Sequence, residues 1–109
     1  MTKERVITLL ENIGLPYAYH HFAEGEAPSL PYIIYFYPDS DNFGADNTVY
    51  QRALDLTIEL YSKKRDFDTE WNIEDALYLC DLFWQKHEVY IESEKMYQVR
   101  YEMEAAVMG

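Results

Sequence analysis

The sequence has a single cysteine, Cys80, among 109 residues, so a disulfide within the chain is excluded. It has only four glycines, too few and too scattered for a glycine-rich phosphate loop. No apolar run approaches the roughly 20 residues that a membrane-spanning helix needs, and no signal peptide opens the chain. These absences predict a protein of a reducing cytoplasm that has no membrane partner.

Basic residues are scarce as well. Nine Lys and Arg are set against twenty Asp and Glu, which gives a formal net charge of −11. The one basic run, at 63–65, is followed at once by Asp66 and Asp68. Contacts to nucleic-acid phosphates need clustered Lys and Arg, so we expect no direct nucleic-acid binding. The acidic surplus fits either simple solubility or a surface that must face DNA without binding it.

Residues that could catalyse a reaction or hold a metal form no recognisable constellation. Cys80 falls in an apolar helical pattern, where a thiol acts as a small hydrophobic side chain. His20 and His21 are neighbours on a predicted strand, so they should point to opposite faces and share no metal. The stretch from Asp39 has glycine at the sixth position of a calcium loop but lacks ligands at the fifth and twelfth. We therefore predict no enzyme activity, no cofactor and no metal site.

Hydrophobic periodicity predicts two helices, at 2–13 and 69–86. It also predicts five strands, the last two forming a hairpin. These strands are expected at 17–22, 31–37, 48–62, 88–92 and 96–103. The order α-β-β-β-α-β-β indicates an α+β fold, in which two helices pack on one antiparallel or mixed sheet. One domain should span 1–104, and 105–109 should be a frayed tail.

Two of these elements have clear faces. In the longest strand, alternation directs one set of side chains to the core, namely Leu54, Leu56, Ile58 and Leu60. The opposite set should face water, namely Asp55, Thr57, Glu59 and Tyr61. In the second helix, a broad apolar arc should face the sheet, made of Ile73, Ala76, Leu77, Leu79, Cys80, Phe83 and Trp84. Its polar side should face water, with Glu70, Glu74, Asp81 and Gln85.

The second helix also has large apolar residues on its polar side. Trp71, Tyr78 and Leu82 fall together there, with Asp75 beside them. An apolar stripe opposite the core side needs a partner. We predict that these four residues form a subunit interface. The alternative is that a loop or terminus of the same domain covers them.

The stretch 38–47 is the most turn-rich of the chain. We predict a loop that is mobile in the free protein and becomes ordered in an assembly. The candidate assembly residues of this loop are Asp39, Asp41, Asn42, Phe43, Gly44 and Asp46.

Several short patterns between 30 and 104 resemble one family of proteins. They are Tyr37-Pro38, the "DNFGADN" loop, Glu59-Leu60-Tyr61, the helix start at 71–77 and the final "YQVRYEM" strand. Together they resemble the small tail-terminator, tail-completion or head–tail-joining proteins, often termed minor tail proteins, of long-tailed phages and prophages of Gram-positive bacteria.

The resemblance implies a structural virion protein without catalysis or cofactor. It implies a ring, usually a hexamer, that ends growth of the tail tube and joins tail to head. Its partners would be copies of itself, tail-tube proteins and head-completion proteins, in the host cytoplasm during assembly and then in the virion. Terminator and connector roles stay open. A different class stays open too, a small acidic DNA mimic or adaptor that binds a host protein.

Overall fold

A computed structural model describes residues 1–38, 40–43 and 51–108, with the backbone alone given for 40–43 and 51–53. The two helices are α1 (Lys3–Ile13) and α2 (Phe67–Leu79). The strands are β1 (Tyr17–Tyr19), β2 (Tyr32–Phe36), β3 (Ser40–Phe43), β4 (Gln51–Ser62), β5 (Trp84–Ile91) and β6 (Met96–Val107). The predicted α+β class and order of elements are confirmed, and β3 is an additional short strand within the predicted loop.

One mixed sheet organises the fold. Its strand order is β1-β2-β4-β6-β5, with β3 also paired to β4. β1 and β2 are parallel, whereas every other pair is antiparallel. Both helices pack on the same face, where Leu10 of α1 and Leu77 of α2 join Ile58 of β4 and Val99 of β6 in a buried cluster. The opposite face of the sheet has no helix on it among the described elements.

The first helix begins one residue after its predicted start and ends at the predicted residue, Ile13. The Thr2 hydroxyl accepts a hydrogen bond from the Arg5 N–H at 3.2 Å, which satisfies one of the free donors of the first turn. At the other end, Gly14 is left-handed (φ 84°) and donates its N–H to the Leu10 carbonyl. Glycine adopts this conformation without steric cost.

The second helix ends seven residues earlier than its predicted limit at 86. Asp81 is left-handed (φ 56°), and the Leu82 N–H donates to the Leu77 carbonyl at 3.1 Å. This is the hydrogen bonding of a Schellman cap, which also brings apolar side chains before and after the turn together. Leu77 and Leu82 are both in the core cluster. The chain then turns into β5 at Trp84, so the predicted helix over 80–86 was wrong.

That early end changes the predicted faces. Leu82 is 8% exposed and belongs to the core, so its predicted place on the solvent side of α2 was wrong. Conversely, Leu79 and Phe83 are strongly exposed, although both were assigned to the inner arc. For Leu82 and Phe83 the physical reason is that helical rotation stops at the cap, so positions beyond it no longer follow the 3.6-residue period. Leu79 is still helical, but it lies about 160° round the helix from the buried Leu77 at 100° per residue, so it points away from the core.

The final strand extends further than predicted. β6 runs through Val107, and both Ala105 and Val107 are buried. Met108 bridges to Thr2 and donates its N–H to the Met1 carbonyl at 2.9 Å. The prediction of a frayed tail was therefore wrong for 105–108, because these residues complete the ladder and the core.

In β4, the predicted inner residues Leu56, Ile58 and Leu60 are fully buried. The prediction that the other face is open to water was wrong for Thr57 and Glu59, which are 3% and 6% exposed. Neighbouring strands cover these two side chains on the helix-free face.

Candidate assembly surface

The exposed side of α2 carries a row of large rings. Phe67, Trp71 and Tyr78 are 52%, 57% and 75% exposed, and they lie within about 40° of one another at 100° per residue. We call these three residues the α2 stripe. Asp75 is exposed beside them. Of the predicted interface residues, the structure brings Trp71, Asp75 and Tyr78 to the surface together, adds Phe67 and removes Leu82.

The sequence did not predict Phe67 at this surface, because the residue precedes the predicted start of the helix at 69. Asp66 caps α2, accepting hydrogen bonds from the Thr69 N–H at 3.1 Å and the Thr69 hydroxyl at 2.7 Å. The residue after this cap is the first of the helix. A cap at Asp66, rather than a helix beginning at residue 69, would have placed Phe67 one turn before Trp71.

A buried group of charges fixes α2 to β5. Glu70 has no exposed surface, and it accepts from Arg65 at 2.9 Å and from Lys86 at 2.8 Å. Lys86 also contacts Glu74 at 2.8 Å, and the Tyr101 hydroxyl donates to Glu74 at 2.9 Å. The prediction that Glu70 faces water was wrong, because its cationic partners come from outside the helix and make its burial possible.

The pKa shifts follow from this arrangement. Burial opposes the charge of Glu70, but hydrogen bonds from Arg65 and Lys86 outweigh it and lower the pKa of the carboxyl. Burial likewise disfavours charged Lys86, but Glu70 and Glu74 outweigh it and raise the pKa of the ammonium. Burial, then the hydrogen bond to Glu74, raises the pKa of Tyr101. Glu70 and Lys86 therefore keep their charges at neutral pH, and Tyr101 stays neutral.

The same charges connect the α2 stripe to β5. The guanidinium carbon of Arg65 lies 4.6 Å from the centre of the Phe67 ring, and Arg65 also pairs with Glu88 of β5. Around the axis of α2, the side that faces the core is followed by Glu70 and Glu74, which contact Lys86. The α2 stripe lies next to these two glutamates, further round the helix. The stripe is therefore on the side of α2 that faces the β5 edge of the molecule.

β5 itself is an edge strand. Its eight residues pair one-to-one with β6, from Trp84 opposite Met103 to Ile91 opposite Met96. No strand in the described part of the chain pairs with its other side. Six of its eight side chains are exposed, and its outer row of backbone groups is available for hydrogen bonding.

The helix-free face of the sheet carries a polar row. Arg100 bonds to Glu59 at 3.2 Å and contacts Glu102 at 3.5 Å, while Gln98 donates to the Tyr61 hydroxyl at 2.8 Å. Burial is the main cause that raises the pKa of Tyr61 to about 12. These mutual contacts satisfy the buried carboxylate of Glu59 and explain how it is tolerated without a covering layer.

The predicted assembly loop is only partly described. Asp41, Asn42 and Phe43 lie in β3, paired with residues 51–53 of β4, so the prediction of a loop was wrong for 40–43. Asp39, Gly44 and Asp46 lie outside the described residues.

The two adjacent histidines lie closer together than predicted. β1 ends at Tyr19, and His20 is left-handed (φ 68°), so strand alternation does not apply to His20 and His21. Their Nδ1 atoms are 3.1 Å apart. Within residues 1–38, 40–43 and 51–108, no group of three or more His, Cys, Asp or Glu side chains is arranged to hold a metal ion. No helix in the same ranges is long and apolar enough to span a membrane.

A chain of a solved particle shares this fold. Its structure is titled "Virion of native gene transfer agent (GTA) particle", and the match has a TM-score of 0.52 at 15% identity. It covers 87% of this chain and 80% of the other. No family model matches the sequence, and no curated protein matches it. The likeness therefore concerns the fold, across most of the length of both chains.

Proposed function

We propose that the protein is a structural component of a phage-like virion, of the tail-terminator or head–tail-joining type. The observation that carries the proposal is the shared fold with a chain of a gene transfer agent virion, which extends over 87% of this chain. The sequence patterns that resemble tail-terminator and joining proteins support the same class independently.

The α2 stripe supports a role in assembly. Leaving a large apolar side chain in water forfeits on the order of 1.5–3 kcal/mol that burial would recover. Trp and Tyr are also the residues that most often anchor protein interfaces. We infer that Trp71 and Tyr78, with Phe67 and Asp75, contact another subunit, and that the assembled form is a ring, as the family resemblance implies.

The charge supports a surface near DNA rather than a DNA mimic. A mimic needs free carboxylates spaced like phosphates along one face. Here Glu59, Glu70, Glu74, Glu88 and Glu102 each contact a Lys or Arg of the same molecule. Ionic partners reduce what these carboxylates could offer a DNA-binding enzyme. The net charge of −11 instead suits a channel wall along which DNA passes without binding.

Deletion of the gene in the phage or prophage that encodes it tests the role. Loss of a terminator should give tails longer than normal, and loss of a joining protein should give normal tails separate from full heads, both visible by negative-stain electron microscopy. Normal, infectious particles after deletion would refute the proposal.

Complementation then tests the surface. The double variant Trp71→Ala/Tyr78→Ala should fold but fail to restore joined particles. Leu79→Ala is the matched control, because Leu79 is an exposed apolar residue of the same helix outside the stripe. Equal failure of the control would place the contact elsewhere on α2.

A further inference from the structure

We propose that the free protein forms a two-fold symmetric dimer in which β5 of one copy pairs with β5 of a second, antiparallel and centred on His87. The inference concerns the protein before assembly and does not depend on a virion role. It shares with the proposed function only the assignment of the α2 stripe as a contact surface.

The first argument is the quality of the edge. All eight residues of β5 keep one constant register with β6, so no bulge bends the strand away, and it contains no proline. The opposite edge, β1, has only three residues. Edge lysines usually discourage pairing, but the one lysine of β5, Lys86, is bound to Glu70 and Glu74 of α2. A long, regular edge without these protections favours addition of a strand.

The second argument is symmetry. Residues that are directly opposite in an antiparallel pair share a face of the sheet. A two-fold axis perpendicular to the sheet keeps the helices of both copies on one face, and it brings the two α2 stripes towards each other beside the joined β5 strands. One contact then covers the β5 edge and the α2 stripe together.

The third argument selects the register. With both helix layers on one face, the axis must pass through a residue, and the two choices nearest the centre of Trp84–Ile91 are His87 and Glu88. An axis at Glu88 places two carboxylates opposite each other, which destabilises pairing. An axis at His87 instead places Lys86 opposite Glu88 of the second copy twice, and Trp84 opposite Tyr90 twice. This register is the self-complementary one.

A two-fold contact is closed, so it cannot by itself build a ring. The dimer would cover the α2 stripe and keep it out of water. On assembly, the contact between the two copies would be replaced by the contact with a neighbouring subunit. The free dimer is thus a form that protects the protein from uncontrolled strand addition along β5.

Cysteine cross-linking of the full chain tests the register. In a Cys80→Ser background, His87→Cys should give a disulfide-linked dimer on mild oxidation, because the two cysteines face each other across the axis. Gln85→Cys should not, since its two copies would be about 14 Å apart, beyond the roughly 7 Å limit between the Cα atoms of a disulfide. Adding Val89→Cys to Gln85→Cys should restore the link. Cross-linking that is equal at 85 and 87 would overturn the proposal.

Sedimentation equilibrium tests the dimer without cross-linking. The unmodified protein should be a dimer at micromolar concentration, and His87→Glu, which places two carboxylates on the axis, should raise the dissociation constant at least tenfold. His87→Thr is the uncharged control and should remain dimeric. A monomer throughout, or a His87→Glu dimer as tight as the parent, would overturn the inference and leave the virion proposal standing. If deletion of the gene left particles normal while the purified protein was still a dimer, the virion proposal would be overturned and the dimer would stand.

Discussion

Glu70 shows how a single carboxylate can be buried without loss of charge. Its two cationic partners reach it from different elements, Arg65 from the segment before α2 and Lys86 from β5. Removing one member of a buried ionic group leaves the others partly uncompensated, which costs about 3–5 kcal/mol when the partner is fully buried. Arg65 and Lys86 are partly exposed and keep Glu88 and Glu74 as alternative partners, so the loss should not exceed the lower end of that range.

We therefore expect Glu70→Gln to lower the free energy of unfolding by about 3 kcal/mol at pH 7. The pKa of Glu70 is lowered in the folded state from 4.5, so its contribution is complete above about pH 4.5 and is lost as the pH falls through the lowered value. Urea titrations at a series of pH values should show the two proteins converging below pH 4.5. Glu94→Gln, at an exposed turn, is the control. A difference that stays constant down to pH 3 would contradict the assignment.

Leu82 and Tyr78 provide a matched contrast at the residue scale. Leu82 is in the core and Tyr78 is 75% exposed, although the helical period groups them together. We expect Leu82→Ala to cost about 2–5 kcal/mol and Tyr78→Ala to change stability by less than about 0.5 kcal/mol. Chemical denaturation of the free protein measures both. Equal losses would mean that both side chains belong to one packed cluster.

The misplaced residues have a common physical cause. Periodicity identified Leu56, Ile58 and Leu60 correctly, because a long alternating strand needs no knowledge of its neighbours. Glu70 and Leu82 could not be placed that way, since the first depends on cations from other elements and the second on where the helix stops. Of the predicted interface, Trp71, Asp75 and Tyr78 came out on the surface, because all three lie before the cap and still follow the helical period.

At the scale of elements, the end of α2 could not be recognised from the sequence, because its C-terminal cap contains no glycine. Asp81 occupies the left-handed position, which Asp tolerates better than most residues but less well than Gly. We expect Asp81→Gly to raise the free energy of unfolding by up to about 1 kcal/mol, as the cap relaxes. The control is Asp68→Gly in the first turn of α2, where the left-handed conformation is not needed and the same substitution should destabilise. A loss of stability in Asp81→Gly would show that the aspartate side chain itself supports the turn.

The end of β6 was also not recognised in the sequence. Small residues after a predicted strand are typical of frayed chain ends. Ending the chain after Glu104 should cost at least about 2 kcal/mol, because Val107 is fully buried and burial of such a side chain contributes about 1.5–3 kcal/mol. Removing Gly109 alone should change little. Thermal unfolding of the two truncated proteins distinguishes an ordered strand end from a tail without structure.

For the whole molecule, charge is the dominant property. Each copy carries −11, so we expect no measurable binding to duplex DNA at physiological salt. Self-association should strengthen on adding salt, because screening reduces repulsion between like-charged copies. Gel shifts at micromolar protein and sedimentation at low and high salt measure the two effects. A DNA shift, or oligomers that dissociate as salt rises, would show that local complementarity outweighs net charge.

The layer architecture was predictable from sequence because two periods, near 3.6 and 2, recur in separate segments of the chain. The strand order was predictable only in part. The β5–β6 hairpin was predicted and is present, whereas the pairing of β6 with β4 joins segments that are distant in sequence. Local patterns thus predict most elements and adjacent hairpins, but not the pairing of strands that are far apart in the chain.

That strand order has a consequence for biosynthesis. β6 is the last described strand to leave the ribosome, yet it is the one that joins β5 to the rest of the sheet. A nascent chain that ends before residue 96 has β4 without a partner on one side and β5 without any partner. The sheet can therefore close only late in translation, and until then both strands expose edges that other chains can capture.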